Sequence, residues 1–431
     1  MGYSYCRDVS ARRNLQPPGG EPNLVGSCRP TQWGVMPDRT HIELEATQRE
    51  MHRGRLGELA AVFLRLGVIS FGGPAGHIAL MEDELVRRRG WLSREKFLDL
   101  LGAVNLLPGP NSTEMALYIG LLRAGGAGLL VAGISFILPA AILVTTMAVA
   151  YLRFGMLPQA VGVLYGAKPV IIAVVLQALW GLGRTAVKTR FLAVTGIAAA
   201  AAALLGVNPL LILFAAGCIV VFRRWLTRPT TPHIPLLGFF SGAVAPASAA
   251  SGAAAIGVGS LFLYFLKVGA VLFGSGYLLL AFLRADLVER WHWLTEAQLL
   301  DAIAVSQVTP GPLSTAATFI GYVLAGPWGA LLATIAIFLP GFVLAAASGR
   351  LVPRLRQSPV ASAFLDGVNV AALALMAAVS WQLGRAALLD WTTIGIAAVS
   401  AVLLLRFRVN SAWLVLGGAV AGLAASTLRA R

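Results

Sequence analysis

Long apolar runs are the feature of this sequence that most restricts its fold. Gly126–Ala150, Pro158–Leu182, Gly259–Leu283 and Pro327–Ser348 each match or exceed the length of about 18 residues with which an apolar helix crosses a bilayer. Only 12% of the 431 residues are charged, about half of what soluble domains carry. The sequence therefore predicts an all-α polytopic membrane protein, with about 10–13 transmembrane helices and with broken or re-entrant segments at its FGGP and Pro-Gly-Pro motifs.

The formal net charge of +15 does not indicate nucleic-acid binding, because most of the cations lie in short loops between apolar runs. That distribution is typical of the positive-inside pattern of membrane proteins. Three cysteines and five histidines show no disulfide or metal-ligand spacing, so we predict neither a cofactor nor a metal. The sequence also lacks a nucleotide-binding P-loop and a hydrolase nucleophile motif. These observations argue against an ATP-driven pump and against an enzyme.

The chain is a tandem duplication with an offset of 202 residues, which becomes 201 after a one-residue gap. The aligned segments of the two halves are Phe63–Phe71 with Phe265–Phe273, Trp91-Leu92 with Trp293-Leu294, Pro108-Gly109-Pro110 with Pro310-Gly311-Pro312, and Leu138-Pro139 with Leu339-Pro340. Apolar composition alone aligns leucines and alanines, but it does not align tryptophans and Pro-Gly-Pro turns at one offset. We therefore predict two homologous transporter repeats.

The repeats set the predicted domain boundaries. Residues 1–50 are polar and aperiodic and predict a disordered N-terminal tail, followed by the first repeat at 51–228. A linker at 229–258 precedes the second repeat at 259–431. The linker contains an uncharged stretch, Pro235–Val258, that is a candidate for one extra span.

Loop charges predict that the two repeats face in opposite directions. Cations favour the loop at 184–190 and the end at 223–228 in the first half, but the alternate loops at 350–356 and 406–408 in the second. By the positive-inside rule this swap predicts an inverted repeat, which is common in secondary transporters. Inversion requires an odd number of crossings per repeat, and the candidate span in the linker would supply the odd one.

Two cations occupy equivalent positions inside apolar segments, Arg65 in the first half and Lys267 in the second. Each lies seven residues, or about two helical turns, before the glycine of a helix break at Phe71-Gly72-Gly73-Pro74 or Phe273-Gly274. Ionisable groups at membrane depth are costly and usually functional. We therefore predict that both cations face an anion; the alternative is that their long side chains reach the membrane surface.

The two Pro-Gly-Pro turns break the helices a second time, and each is followed by residues that suit the start of a helix. A half-helix that begins inside the membrane directs free N–H groups and the positive end of its dipole at an anion. A plain loop between two helices is the alternative. The residues predicted to bind or pass the anion, besides the two cations, are Gly72, Gly73, Pro74, Asn105, Pro108, Gly109, Pro110, Asn111, Ser112, Thr113, Gly274, Gln307, Pro310, Gly311, Pro312, Ser314 and Thr315.

Four further charged residues are candidates for coupling transport to another ion. Asp99 and Asp301 recur at equivalent positions on the helices that enter the Pro-Gly-Pro turns, and Lys168 and Asp366 lie in long apolar helices. The alternative for Asp99 and Asp301 is an interfacial or capping carboxylate. Glu114, in the helix after the first turn, receives no predicted role.

The segment FGGPAGHIALMEDELVRRRGWLSREKFLDLLGAVNLLPGPNST resembles the chromate ion transporter (CHR) family in its long-chain, two-domain form. The segment FGSGYLLLAFLRADLVERWHWLTEAQLLDAIAVSQVTPGPLST resembles the C-terminal half of the same family, and the resemblance spans residues 55–430. The second half has GSGYLL where the first has GGPAGH, so it lacks equivalents of Pro74 and His77.

This resemblance implies a multi-pass carrier of the bacterial inner membrane that exports chromate and so confers chromate resistance, with sulfate as a mimic. It also implies halves of opposite orientation. Two alternatives remain open: a transporter or channel for sulfate or another small anion, and an intramembrane lipid-modifying enzyme in which Asp99 and Asp301 act as acid and base. The predicted partners are the oxyanion and the lipid bilayer, and a homodimer is also considered.

Overall fold

The computed structural model describes residues 55–71, 73–105, 107–155, 157–227, 257–273, 276–407 and 409–429. This part of the chain is helical and contains no β-strand. The predicted tail at 1–50 lies outside the described residues, as does nearly all of the predicted extra span at 235–258. The helical fold with two homologous halves is confirmed.

Each half begins with short helices and continues with longer ones. The helices of the first half are α1 (55–69), α2 (Gly73–Glu82, continued by a π-helical segment, Asp83–Arg88), α3 (Arg94–Val104), α4 (Asn111–Phe154), α5 (Pro158–Ala186), α6 (Arg190–Leu204) and α7 (Pro209–Thr227). Those of the second half are α8 (Val258–Val271), α9 (Leu279–Leu283, continued by Arg284–Arg290), α10 (Glu296–Val308), α11 (Ala316–Gln357), α12 (Pro359–Ala387), α13 (Trp391–Phe407) and α14 (Ser411–Arg429). Five of the described segments are long and apolar enough to cross a membrane.

The two longest helices, α4 and α11, are each two helices joined by a sharp reversal. Ala124 and Gly125 leave the helical conformation, and Gly125 has a φ of 61°. A Cβ atom at Gly120 would lie 2.9 Å from the carbonyl carbon of Gly128, although eight residues of a straight helix span about 12 Å. The chain therefore turns back on itself. Ala325 and Gly326 repeat this reversal in α11, with a φ of 63° at Gly326.

Both breaks in the first half are the tips of helical hairpins. Arg89 pairs with Glu58 at 3.0 Å and Arg65 with Glu84 at 3.9 Å. Helix α1 is therefore antiparallel to α2 and its π-helical continuation, which form the other arm. The FG break between these arms is thus a tip. Arg123, at the end of the first arm of α4, lies 4.5 Å from the ring centre of Trp91, just before α3. The first Pro-Gly-Pro turn is therefore also a tip.

The hairpin arms are too short to cross a membrane. Helix α3 has 11 residues and is about 16 Å long, whereas the hydrocarbon core of a bilayer is about 30 Å thick. In the second half, Lys267 pairs with Asp286 at 3.2 Å in the way that Arg65 pairs with Glu84. The predicted re-entrant segments at the FG and Pro-Gly-Pro breaks are therefore hairpins that enter the membrane and return.

The helix directions show that the two halves are inverted. A Cβ at Gly162 would lie 3.1 Å from the Cβ of Ser426, and one at Gly418 would lie 2.7 Å from the oxygen of Gly166, so α5 and α14 are antiparallel. Helix α7 runs parallel to α5, because two short loops reverse the chain between them. Since α7 and α14 are equivalent helices, equivalent elements run in opposite directions.

The halves are interlocked rather than side by side. Helix α5 packs against α13 and α14 of the other half, and α12 packs in the same way against α6 and α7. Helices α4 and α11 contact each other across the pseudo-twofold axis. Each half therefore buries its apolar faces only in the presence of the other.

The inverted arrangement places the ends of α5, α7, α11 and α13 on one face of the molecule, which we call the basic face because the cation-rich loops follow or contain these ends. The bases of the first-half hairpins lie at this face, and those of the second-half hairpins lie at the opposite face. Residues 227 and 257, the described ends on either side of the linker, consequently lie at opposite faces. The loop charges predicted this arrangement correctly.

A matched cysteine pair tests the inversion. Asn208 and Asn410 are exposed, and each accepts a hydrogen bond from the N–H two residues later, at 2.9 Å and 3.0 Å. They occupy equivalent loops that the structure places at opposite faces. In a background with serine at positions 6, 28 and 218, we expect Asn208→Cys and Asn410→Cys to react with a membrane-impermeant maleimide from opposite sides of sealed vesicles. Labelling of both from the same side would contradict the inverted fold.

Candidate functional site

All four hairpin tips meet at the centre of the molecule. The Gly109 N–H donates a hydrogen bond of 2.7 Å to the carbonyl oxygen of Leu272, and the Gly311 N–H donates one of 2.8 Å to that of Ser70. These two bonds are equivalent, since each joins the Pro-Gly-Pro tip of one half to the FG tip of the other. A Cβ at Gly276 would also lie 3.4 Å from Leu313, which joins the two tips of the second half. We call residues 70–71, 108–114, 272–273 and 310–315 the central junction.

The Pro-Gly-Pro sequence explains why the glycine makes this bond. Proline has no N–H group, so in each turn the glycine is the only residue that can donate a backbone hydrogen bond. Gly109 has a φ of 151° and Gly311 a φ of 107°, which are values that side chains disfavour. The prolines that follow are extended and cap the next helix, with φ of −72° at Pro110 and −66° at Pro312.

Two helices begin at the central junction and approach it from opposite faces. Helix α4 begins directly after Pro110, and the 3₁₀ segment Leu313–Thr315 leads into α11 after Pro312. The hydroxyl residues at these two starts are 0–2% exposed, namely Ser112, Thr113, Ser314 and Thr315. The first turn of a helix carries free N–H groups and a positive partial charge. The two helix starts therefore direct positive partial charge into the junction, among whose residues there is no cationic side chain.

Several buried polar side chains of the junction and its entry have unmet hydrogen-bonding capacity. The hydroxyl oxygens of Ser70, Thr113 and Ser314 and the Nε2 of Gln307 have no hydrogen-bond partner within the described ranges. These residues are 0–6% exposed. Leaving such a group buried and unpaired costs about 1–3 kcal/mol. A ligand with several oxygen atoms would satisfy these donors.

The two turns do not present identical groups. The side chain of Asn111 donates a 2.7 Å hydrogen bond to Asn105, which is exposed, whereas Gln307, at the position equivalent to Asn105, is buried. The Thr315 hydroxyl donates to the Pro312 carbonyl oxygen at 2.8 Å. Gly73 and Pro74 lie just after the first FG tip, and Gly73 has a φ of 76°. Gly72 and Gly274 lie outside the described residues.

The predicted cations Arg65 and Lys267 lie in the hairpin stems rather than at the tips. The pairs with Glu84 and Asp286 hold the two arms of each stem together, and the side chains of Arg65 and Lys267 are 58% and 38% exposed. Both pairs have a sequence separation of 19 residues across the FG break. That shared separation is the signal from which the pairing could have been found. Whether the cations also face an anion stays a prediction.

The candidates for coupling fall into three different environments. Asp301 is 4% exposed and bridges the halves, because its carboxylate pairs with Lys168 at 2.9 Å and accepts a hydrogen bond of 3.0 Å from Tyr151. Asp99, its equivalent, is exposed. Asp366 pairs at 2.7 Å with Lys188, whose side chain is 60% exposed. Asp99 and Asp301 therefore do not form a shared pair of acid and base groups.

Two residues of the central region were not predicted from the sequence. Ser70 supplies the carbonyl oxygen for Gly311 and has a buried, unpartnered hydroxyl. Glu114 is 1% exposed and lies against Gly109. Ser70 directly precedes the FG break, and Glu114 is an isolated charge in an apolar helix. Both residues could have been recognised as candidates from these positions in the sequence. In the described ranges, no group of three or more His, Cys, Asp or Glu residues could hold a metal ion.

The chain matches the model of the chromate transporter family in two segments, residues 57–221 and 259–423. A chromate transport protein of Cupriavidus metallidurans is 31% identical over 86% of this chain and 94% of its own length. A chromate transport protein of Pseudomonas aeruginosa is 32% identical over 76% of this chain and 81% of its own length.

A shorter relative bears on the duplication. The uncharacterized transporter YwrA of Bacillus subtilis is 30% identical over 91% of its own length, but it covers only 37% of this chain. The matched length of 162 residues is close to the length of one repeat of this chain. No solved structure matches the chain.

The buried pair between the halves predicts a stability effect. Lys168→Met leaves the Asp301 carboxylate buried without its cation, so we expect the free energy of unfolding to fall by up to about 3 kcal/mol. Lys168→Met/Asp301→Asn should recover most of that loss. Thermal unfolding in detergent measures the stability of the single and the double variant. As a control, Lys188→Met breaks an exposed pair and should cost less than about 1 kcal/mol. Equal losses for Lys168→Met and Lys188→Met would contradict the predicted importance of the buried pair.

Proposed function

The chain belongs to the chromate transporter family, and we propose that it is a secondary transporter that moves chromate out of the cytoplasm across the bacterial inner membrane and thereby confers chromate resistance. The observation that carries this proposal beyond the family is the central junction, where two helices begin and where the buried hydroxyls of Ser70, Thr113 and Ser314 have no partner among the described residues. The Gln307 amide, three residues before the second Pro-Gly-Pro turn, is a fourth such donor. Chromate is a small tetrahedral dianion whose four oxygens accept hydrogen bonds. Such an ion suits a site made of N–H, hydroxyl and amide groups.

The inverted hairpins support an alternating-access mechanism. The first-half tips reach the junction from the basic face and the second-half tips from the opposite face. Withdrawal of one pair of tips would open the junction to one side while the other pair keeps it closed. We assign the basic face to the cytoplasm by the positive-inside rule. The ion would thus be bound between tips that belong to opposite sides of the membrane.

The membrane potential favours outward movement of this cargo. Each elementary charge that crosses the membrane contributes about 2.3 kcal/mol per 100 mV, so a dianion contributes about twice that amount. The cytoplasm is negative, so the potential drives an anion outward without ATP. Sulfate has the same charge and shape, and a site that recognises only those properties would bind it as a competitor.

Chromate uptake into everted membrane vesicles tests the binding site. Ser314→Ala and Gln307→Ala each remove a buried donor, so we expect chromate affinity to fall about tenfold or more, because a hydrogen bond to a charged group contributes about 1.5–3 kcal/mol. Ser380→Ala is the matched control, since the Ser380 hydroxyl is buried but already donates to the Met376 carbonyl oxygen at 2.6 Å. Unchanged affinity in both donor variants would reject the junction as the binding site. Uptake of sulfate but not chromate by the wild type would reject chromate as the cargo.

The same assay tests the stem cations. If Arg65 and Lys267 attract the anion toward the tips, Arg65→Gln/Lys267→Gln should lower the rate of chromate uptake several-fold. These substitutions also leave Glu84 and Asp286 unpaired, so a quadruple variant with Glu84→Gln and Asp286→Asn added is the control. A loss that persists in the quadruple variant supports an anion-facing role. A wild-type rate in the double variant, or recovery in the quadruple, would show that the cations only hold the stems together.

A further inference from the structure

Glu114 is an isolated carboxylate inside the central junction. It lies in the first turns of α4, is 1% exposed, and neither of its carboxylate oxygens has a hydrogen-bond partner among the described residues. It takes part in no ion pair of the described ranges. Burying an ionised carboxylate without a partner is strongly unfavourable. In the closed structure the neutral form, which carries a proton, is therefore the stable one.

The surroundings of this position differ between the two halves. A Cβ at Gly109 would lie 2.7 Å from the Cδ of Glu114, and one at Gly341 would lie 3.9 Å from its Oε1. In the second half, Ala316 stands at the position of Glu114. There the turn glycine, Gly311, faces Ala140, the equivalent of Gly341, and a Cβ at Gly311 would lie 2.6 Å from the Ala140 methyl group. The Glu114 carboxyl group thus occupies space beside Gly109 that a side chain at position 109 would fill, whereas a Cβ at Gly341 would make only ordinary van der Waals contact with it.

No cation from the other half neutralises Glu114 within the described ranges. Helix α11, which packs against α4, has no charged residue between 316 and 347 and carries only Tyr322 as a titratable group there. In α8, Lys267 is held by Asp286. In α10, Asp301 is bound to Lys168 of α5 and to Tyr151 of α4 itself.

Among the described residues, the first half offers no free cation to Glu114 either. Arg65 of α1 is paired with Glu84. Arg123, further along α4, pairs with Glu58 of α1 at 3.6 Å, at the base of the hairpins. Helix α2 contributes His77, which is 1% exposed, packs edge-on against Phe136 and has an Nδ1 without a partner in the described chain. Helix α3 contributes Asp99, which is exposed.

We propose that Glu114 is a proton-binding site whose proton is a co-ligand of the transported anion. This inference rests on the proposed function. A protonated carboxyl group donates a hydrogen bond to an oxyanion, whereas an ionised one repels it. When the tips separate and water enters, Glu114 can release its proton, and the dianion then loses both a donor and a neutral neighbour. One proton is therefore taken up with each anion that binds.

The proposal has a defined dependence on pH. Where Glu114 of the empty, water-exposed junction is ionised, binding of the anion requires protonation, so the affinity falls up to tenfold for each unit by which the pH rises. Glu114→Gln keeps a hydrogen-bond donor but cannot ionise. Its chromate affinity should be independent of pH apart from the protonation of chromate itself, which is the same for both proteins.

A second variant keeps the test independent of how Glu114→Gln folds. Glu114→Ala/Gly341→Ala gives the first half the two alanines that the second half has at 316 and 140, a combination that this fold already packs. This variant should also bind chromate without the wild-type dependence on pH. Its affinity should be lower than that of Glu114→Gln, because the donor is missing.

The experiment measures chromate affinity of the full-length purified protein across a pH series, together with proton uptake when chromate is added at alkaline pH, where free chromate is fully dianionic. We expect the wild type to take up about one proton per bound anion, and both variants to take up none. A wild-type dependence on pH in either folded variant, or binding by the wild type without proton uptake, would overturn the proposal. Absence of chromate binding by the wild type at every pH would instead overturn the proposed function.

Discussion

The structure depends on how broken backbone is satisfied inside a membrane. Bilayer lipid offers no hydrogen-bond partners, so the N–H and carbonyl groups released at a helix break must bond within the protein. Here the bond from Gly109 to Leu272 and the equivalent bond from Gly311 to Ser70 meet this need, and each joins one half to the other. The tips therefore satisfy one another only when both halves are present, which is also the condition for the interlocked packing of α5 and α12.

Duplication supplies the symmetry of this junction, and later divergence supplies its chemistry. The hairpins, the reversals at Gly125 and Gly326, and the tip hydrogen bonds recur in both halves with nearly the same geometry. The polar groups do not. Glu114 corresponds to Ala316 in the other half, and buried Gln307 corresponds to exposed Asn105. A symmetric scaffold gives two equivalent ways of opening, whereas single asymmetric side chains can make the two openings chemically different.

Local sequence patterns predicted the helices well, but they did not predict which distant segments contact each other. The apolar run predicted at Pro158–Leu182 corresponds to the helix Pro158–Ala186, because an apolar run bounded by proline or polar residues fixes its own ends. Arg65 was predicted to face an anion, but its pairing with Glu84 on the other arm of the hairpin was not predicted. The position of a charge along a helix does not reveal which charge faces it.

The sequence by itself determined the membrane fold, the two repeats and their opposite orientation, because apolar length, recurrence and loop charge are properties that the chain carries without folding. Only the tertiary structure decided that the four breaks meet, that Asp301 binds Lys168 across the halves, and that Glu114 is buried without a partner among the described residues. Each of these depends on segments up to about half the chain apart being brought together. Their proximity follows from the packing of inverted hairpins against one another, which the sequence of a single segment does not determine.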